Sequence, residues 1–310
     1  MKAIVIEQYG GAEELVEKEL SKPVIQDNQV LIEMHATSIN PIDWKVREGY
    51  LKEMIPLEFP LILGWDAAGV VSEVGKNVTN FNVGDEVFAR PAMPSGTYSE
   101  YVAVEEELVA LKPKSLSFKE AASVPLAGLT AWQCLVDFGQ IKEGDKVLIH
   151  AGSGGVGSFG IQIAKSFGAH VISTASGKNE AFLKELGVDE FINYETTDFA
   201  DVVKDVDLVV DTMGGEILEK SQNVVKKGGR LVSITGQPDA EVAKANQITA
   251  ESFWLNPNGK QLAELGELME QGKVKAHIGH TFPLTAEGLR DAHELSATHH
   301  AKGKIVIEIK

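Results

Sequence analysis

Residues 152–157 read Gly-Ser-Gly-Gly-Val-Gly, a G-x-G-x-x-G spacing whose chemistry is the cradling of a dinucleotide pyrophosphate. Gly152 permits a tight turn off a strand. Gly154 removes the Cβ that would hold the backbone away from the phosphates, and Gly157 lets the following helix pack closely on the strand. Ser153, Gly155 and Val156 complete the stretch whose backbone N–H groups would face the pyrophosphate at a helix start.

Such a turn requires a strand before it and a helix after it, and the sequence predicts both. Residues 147–149 are Val-Leu-Ile, residues 156–167 form an apolar segment closed by Gly168, and Val171-Ile172 open a second apolar run. Strand, turn, helix and strand follow within about thirty residues, the size of one βαβ unit.

The end of the second strand selects the cofactor. An Asp or Glu about twenty residues past the glycines would hold a free ribose 2′-hydroxyl. Here residues 173–179 are Ser-Thr-Ala-Ser-Gly-Lys-Asn, and the first acid is Glu180. Hydroxyls and an ammonium suit a 2′-phosphate that a carboxylate would repel, so Ser176 and Lys178 point to NADP(H).

These groups must be positioned by the rest of a 310-residue chain, long enough for two domains. Residues 1–118 carry short apolar runs separated by Gly and Asn turns, the pattern of a β-rich, barrel-like domain, with a short helix predicted over 41–47. Residues 119–273 alternate strand and helix, as a doubly wound parallel sheet does; 207–211 (DLVVD) reads as a buried parallel strand, 252–255 as a last strand and 259–271 as a helix. Residues 274–310 return to the first texture. The expected arrangement is therefore an α/β chain with one domain from 1–118 and 274–310 and a nucleotide domain from 119–273, the site lying outside the carboxyl ends of the parallel strands.

The net charge of −16 opposes general affinity for nucleic acid or an anionic membrane, both of which need a positive field. No apolar run is long enough to span a bilayer, and the first residues lack a signal-peptide pattern, so a cytoplasmic location is expected. Cys134 is the single cysteine; it excludes an intrachain disulfide and a cysteine-based zinc cluster, and its apolar surroundings suit a buried thiol.

Seven ordered stretches carry a family likeness: residues 38–43 (SINPID), 64–71 (GWDAAGVV), 83–87 (VGDEV), 125–131 (PLAGLTA), 151–157, 211–215 (DTMGG) and 303–306 (GKIV). With them the chain resembles the medium-chain dehydrogenase/reductase superfamily over nearly its whole length, and within it the zinc-independent NADPH:quinone oxidoreductase branch. The resemblance implies a GroES-like β-barrel domain around a Rossmann domain, and a homodimer joined along the edges of the nucleotide-domain sheets. It places Asn40, Asp43 and Thr130 near the nicotinamide and the acceptor: Asn40 as an amide donor to a carbonyl, Asp43 as its orienter, Thr130 as a partner of the carboxamide. A turn role for Asn40 and a packing role for Thr130 remain open alternatives. It also adds Tyr194 to the 2′-phosphate group and Thr212 to the ribose or nicotinamide side. Trp44, Tyr50 and Tyr98 are candidates for an apolar pocket or for core aromatics.

Zinc-dependent relatives place a Cys where this chain has Asn40 and a His where it has Asp66, so no metal site is expected here. Without Lewis-acid polarisation the expected acceptors are electrophilic on their own, quinones first, enones or enals as the alternative. A reading from another class is an NADPH-binding redox sensor without turnover.

Overall fold

The computed structural model describes residues 1–54 and 57–310. The chain divides into two compact units, one of residues 1–129, 257–271 and 276–310, the other of residues 130–256 and 272–275.

The first unit is organised on the strand Gln29–Ile39, most of whose side chains are buried. One edge pairs antiparallel with Ala67–Val74. The other pairs with Tyr101–Glu105 along residues 29–33 and with Lys304–Glu308 along residues 36–39. Ile278–Pro283 lies parallel to Lys304–Glu308, a pairing that requires a crossover, and the helix Ala286–Ala297 supplies it. Thr285 caps that helix, its hydroxyl accepting from the backbone of Gly288 at 3.0 Å. A smaller sheet joins Lys2–Ile6 to Val16–Glu19 and Leu61–Ile62. Ile4, Ile6, Trp65, Tyr98, Leu289 and Ile305 belong to the core cluster of this unit.

The second unit is a six-stranded parallel sheet ordered 190–193, 170–175, 146–149, 206–211, 225–233, 249–252. Numbered along the chain that is 3-2-1-4-5-6, and the order reverses between Lys146–Ile149 and Val206–Asp211, where such sheets bind nucleotides. The helix Gly155–Ser166 follows the first strand with Gly154 as its N-cap.

Several elements differ from expectation. The last strand is Thr249–Ser252 rather than 252–255, and the helix Ala240–Asn246, capped by Asp239, is a further element that the seven residues AEVAKAN are too short to signal by periodicity. The contacts also divide the chain elsewhere than at 118/119 and 273/274. The helix Phe118–Ala122 stays with the first unit, where Phe118 stacks on His35 at 4.1 Å between ring centres. The helix Gly259–Glu270 joins it too: Gly259 sits against the backbone of Val109, Gly266 against Pro113 and Phe88, and Leu265 against Gly128. An amphipathic stripe says that a helix packs, not against which sheet.

Leu265 is fully buried in that packing. Leu265→Ala should lower unfolding stability by about 2–5 kcal/mol, read from a urea midpoint. A change below about 0.5 kcal/mol, as at a surface position, would contradict the assignment of this helix to a core.

Candidate active site

The strand register of the first unit builds a buried polar cluster. Ile305 pairs with Ile39, so the next step along both strands sets Lys304 opposite Asn40. Ala68 pairs with Ala36 on the other edge, so two steps further Asp66 lies opposite Ser38. Ser38 and Asn40, two residues apart, share a face of their strand. All four side chains are buried.

Their hydrogen bonds leave little freedom. Asp66 Oδ2 accepts from Ser38 Oγ at 2.5 Å and from Asn40 Nδ2 at 2.7 Å, and Oδ1 accepts from the backbone N–H of Leu126 at 2.6 Å, at the start of the helix Pro125–Trp132. Lys304 Nζ donates to Asn40 Oδ1 at 2.6 Å and to the Ile39 carbonyl at 3.0 Å, and lies 3.5 Å from Asp66 Oδ2. Burial lowers the Lys304 pKa, and the Asp66 and Asp43 charges oppose that shift.

Asn40 also begins the helix Pro41–Arg47, with Pro41 in its first turn. Asp43 closes back on that start, its Oδ2 accepting from the Asn40 backbone N–H at 2.8 Å. The same oxygen accepts from Tyr98 Oη at 2.7 Å, while Oδ1 is buried without a partner among the described residues. Burial pushes the Asp43 pKa up to about 7, against the pull of those two donors. Tyr98 Oη in turn meets His293 Nε2 at 2.9 Å, and His293 Nδ1 meets Arg47 Nη1 at 3.0 Å. Arginine only donates, so Nδ1 accepts, Nε2 carries the proton and Tyr98 passes its own hydroxyl proton toward Asp43. Burial, then the Arg47 charge, depresses His293 to about 3. Nearby, Arg90 is buried and its Nε has no partner among the described residues. Burial lowers its pKa to about 10 while the Asp66 and Asp43 charges hold it up.

In the second unit, the glycine turn has the shape its spacing predicts. A Cβ on Gly157 would fall 2.4 Å from the Ala151 carbonyl oxygen, so only glycine fits there. A Cβ on Gly154 would meet nothing closer than that oxygen at 3.4 Å, which leaves its free side open for a ligand. Ser153, Gly155 and Val156 are partly exposed around it. Asn179 Nδ2 lies 3.1 Å from both Ser153 Oγ and Ser176 Oγ and so ties the turn to the end of the second strand. Lys178 and Tyr194 are exposed. Thr212 Oγ1 donates to the His150 carbonyl at 3.0 Å, spanning the two strands at which the sheet order reverses.

With both sets of residues placed, comparison with known proteins is direct. Residues 26–114 match the family model described as alcohol dehydrogenase GroES-like domain, and residues 186–307 the one described as zinc-binding dehydrogenase. The 2-methylene-furan-3-one reductase of Solanum lycopersicum is 40% identical over 99% of this chain and 79% of its own length. The chain belongs to the medium-chain dehydrogenase/reductase superfamily, in its quinone oxidoreductase branch. The NADPH-dependent alkenal/one oxidoreductase of Arabidopsis thaliana is 37% identical over 99% of this chain and 79% of its own. The solved quinone oxidoreductase of Coxiella burnetii superposes with a TM-score of 0.91 at 39% identity, covering 100% of this chain and 99% of that one. The fold is the superfamily's: a GroES-like domain and a Rossmann-like parallel sheet.

Within that medium-chain reductase fold, Asn40 and Asp43 come together in the first unit, and Thr130 is buried in the second on the helix Pro125–Trp132. Tyr98 is a core residue engaged with Asp43 and His293 rather than a pocket wall. Tyr50 is exposed and packs edge-on to Trp44. Sequence reasoning missed Lys304, Asn179 and Glu195; Glu195 Oε2 accepts from the Gly177 N–H at 2.9 Å, an acid delivered from a different strand end.

His150 sits under the glycine turn. Ser221 Oγ donates to the Ile217 carbonyl at 2.7 Å, so it accepts from His150 Nε2 at 2.9 Å, and His150 Nδ1 accepts from Thr174 at 3.1 Å. The Phe199 ring covers it and Asp211 is the charge nearby. Burial depresses its pKa to about 4, with Asp211 opposing. The folded state therefore resists protonation that the unfolded chain accepts near pH 6.5, so stability is full above that pH and falls as pH drops toward 4. His150→Gln should flatten the melting-temperature curve across that window relative to the unsubstituted protein; parallel curves would contradict a neutral buried His150.

Proposed function

We propose that the protein is an NADPH-dependent, zinc-independent reductase that transfers hydride to quinones. The observation that carries the reading is the second-strand end, where Asn179 joins Ser153 of the glycine turn to the buried Ser176, next but one in sequence to the exposed Lys178, and the turn is open at Gly154. The bound cofactor supplies the hydride from its nicotinamide. Gly152, Ser153, Gly154, Gly155 and Val156 hold the pyrophosphate against the N-terminus of Gly155–Ser166. Ser176, Lys178 and Tyr194 hold the 2′-phosphate, Thr212 the ribose side and Thr130 the carboxamide. Asn40 donates to the acceptor oxygen, where negative charge grows during reduction. Asp43 holds the backbone of Asn40 in place.

A second acceptor class, conjugated enones and enals, is favoured by the names of the two relatives at 40% and 37% identity, a 2-methylene-furan-3-one reductase and an alkenal/one oxidoreductase. Both classes are electrophilic without a metal. Zinc does not suit the Asn40 cluster: it offers an amide in place of a thiolate and a carboxylate in place of an imidazole, and Lys304 already sets a cation 2.6 Å from the amide oxygen. Among the described residues no group of three or more His, Cys, Asp or Glu is arranged to hold a metal. A homodimer along the edge strand Thr249–Ser252 and a cytoplasmic location belong to the same proposal, supported by that strand's position at the sheet edge and by a single, buried cysteine.

Titration of nicotinamide fluorescence should show NADPH binding tighter than NADH; equal affinity would overturn the Ser176/Lys178 assignment. Lys178→Glu should weaken NADPH by about tenfold or more and leave NADH nearly unchanged. Glu195→Gln should act oppositely, tightening NADPH, because it removes a carboxylate held at Gly177. Steady-state assays against a quinone and an enone panel rank the acceptors, and binding of NADPH with oxidation by neither panel would favour the redox-sensor reading.

A further inference from the structure

The amide of Asn40 is held between two opposite charges. Its Oδ1 receives the Lys304 ammonium at 2.6 Å and its Nδ2 faces the Asp66 carboxylate at 2.7 Å. Flipping the amide would turn its oxygen onto a carboxylate and its N–H groups onto an ammonium, so charge blocks the alternative orientation from both ends. Only one Nδ2 hydrogen is spent on Asp66. The second has no acceptor among the described residues and is the donor the cluster leaves uncommitted. Donation from Lys304 to the amide oxygen also polarises the amide and makes that remaining N–H a better donor.

We propose that Lys304 is a positioning residue for reduction: with Asp66 it fixes and polarises the Asn40 amide so that one N–H is preorganised for the acceptor oxygen as it gains charge. The inference rests on the reductase reading. The strand register itself sets Lys304 opposite Asn40. Among the described residues, Asp43 and Arg90 are further charged groups that interact with Asp66 or Lys304. Neither makes a hydrogen bond to the Asn40 side chain.

The test is a double-mutant cycle read as turnover, acceptor KM and NADPH affinity. Lys304→Met should lower kcat by about tenfold to a hundredfold, as loss of an oriented oxyanion donor does, with NADPH affinity unchanged. In an Asn40→Ala background, Lys304→Met should change kcat by less than about twofold, because the residue it positions is gone. Lys304→Met alone removes the counter-charge of a buried Asp66 and can cost folding, so Lys304→Met with Asp66→Asn is made as a pair without net charge. That pair should regain stability and still turn over slowly. Recovery of kcat in the charge-neutral pair, or losses for Lys304→Met and Asn40→Ala that multiply, would overturn the positioning role while leaving the reductase reading intact. Failure of the unsubstituted protein to oxidise NADPH with any quinone or enone would overturn both, and is seen before any variant is made.

Discussion

Lys304 and Asp66 oppose each other 3.5 Å apart in the core, both almost entirely removed from water. Burying two charges costs several kcal/mol each, and attraction alone seldom recovers it. Here the remaining valences are filled by Ser38, Asn40, the Ile39 carbonyl and the Leu126 N–H, so the pair is fully hydrogen-bonded. That arrangement exists only if three strands hold one register. A one-residue slip of Lys304–Glu308 on Gln29–Ile39 would turn Lys304 to the other face of the sheet, and a slip of Ala67–Val74 would do the same to Asp66. The ion pair is weak support for stability and strong support for specificity: it favours one alignment of the central strand and its neighbours.

From that alignment the rest of the first unit follows. Asn40 ends the strand and starts a helix, Asp43 fastens that start, and Tyr98, His293 and Arg47 carry the hydrogen-bond chain to the helix Ala286–Ala297. Asp66 extends it the other way, onto the start of Pro125–Trp132. The second unit depends on a local constraint instead: the Gly157 position admits no Cβ, and His150, Thr174 and Asn179 fix the turn around it.

This difference explains what the sequence reveals. The glycine turn, its flanking strand and helix, Ser176 and Lys178 are legible because they follow a known spacing within about thirty positions. Asn40 and Asp43 are legible through the family resemblance carried by residues 38–43 rather than through any local spacing. Lys304 is not, since its meaning lies in a residue 264 positions away. Glu195 is hidden for a related reason: it reaches Gly177 from the next parallel strand. The helix Gly259–Glu270 is legible as a helix, but its choice of sheet depends on close approaches at Gly128 and Gly259 that no periodicity encodes.

The central claim is that this chain uses NADPH to reduce a conjugated acceptor without a metal. It is tested most directly by protein exhaustively treated with a chelator, mixed with NADPH deuterated at the transferred position, and followed by nicotinamide absorbance with a quinone or an enone present. The account predicts NADPH oxidation that needs the acceptor, is slowed by deuterium and is not increased by added zinc. NADPH that stays reduced with every acceptor, or oxidation that returns only when zinc is restored, would contradict it.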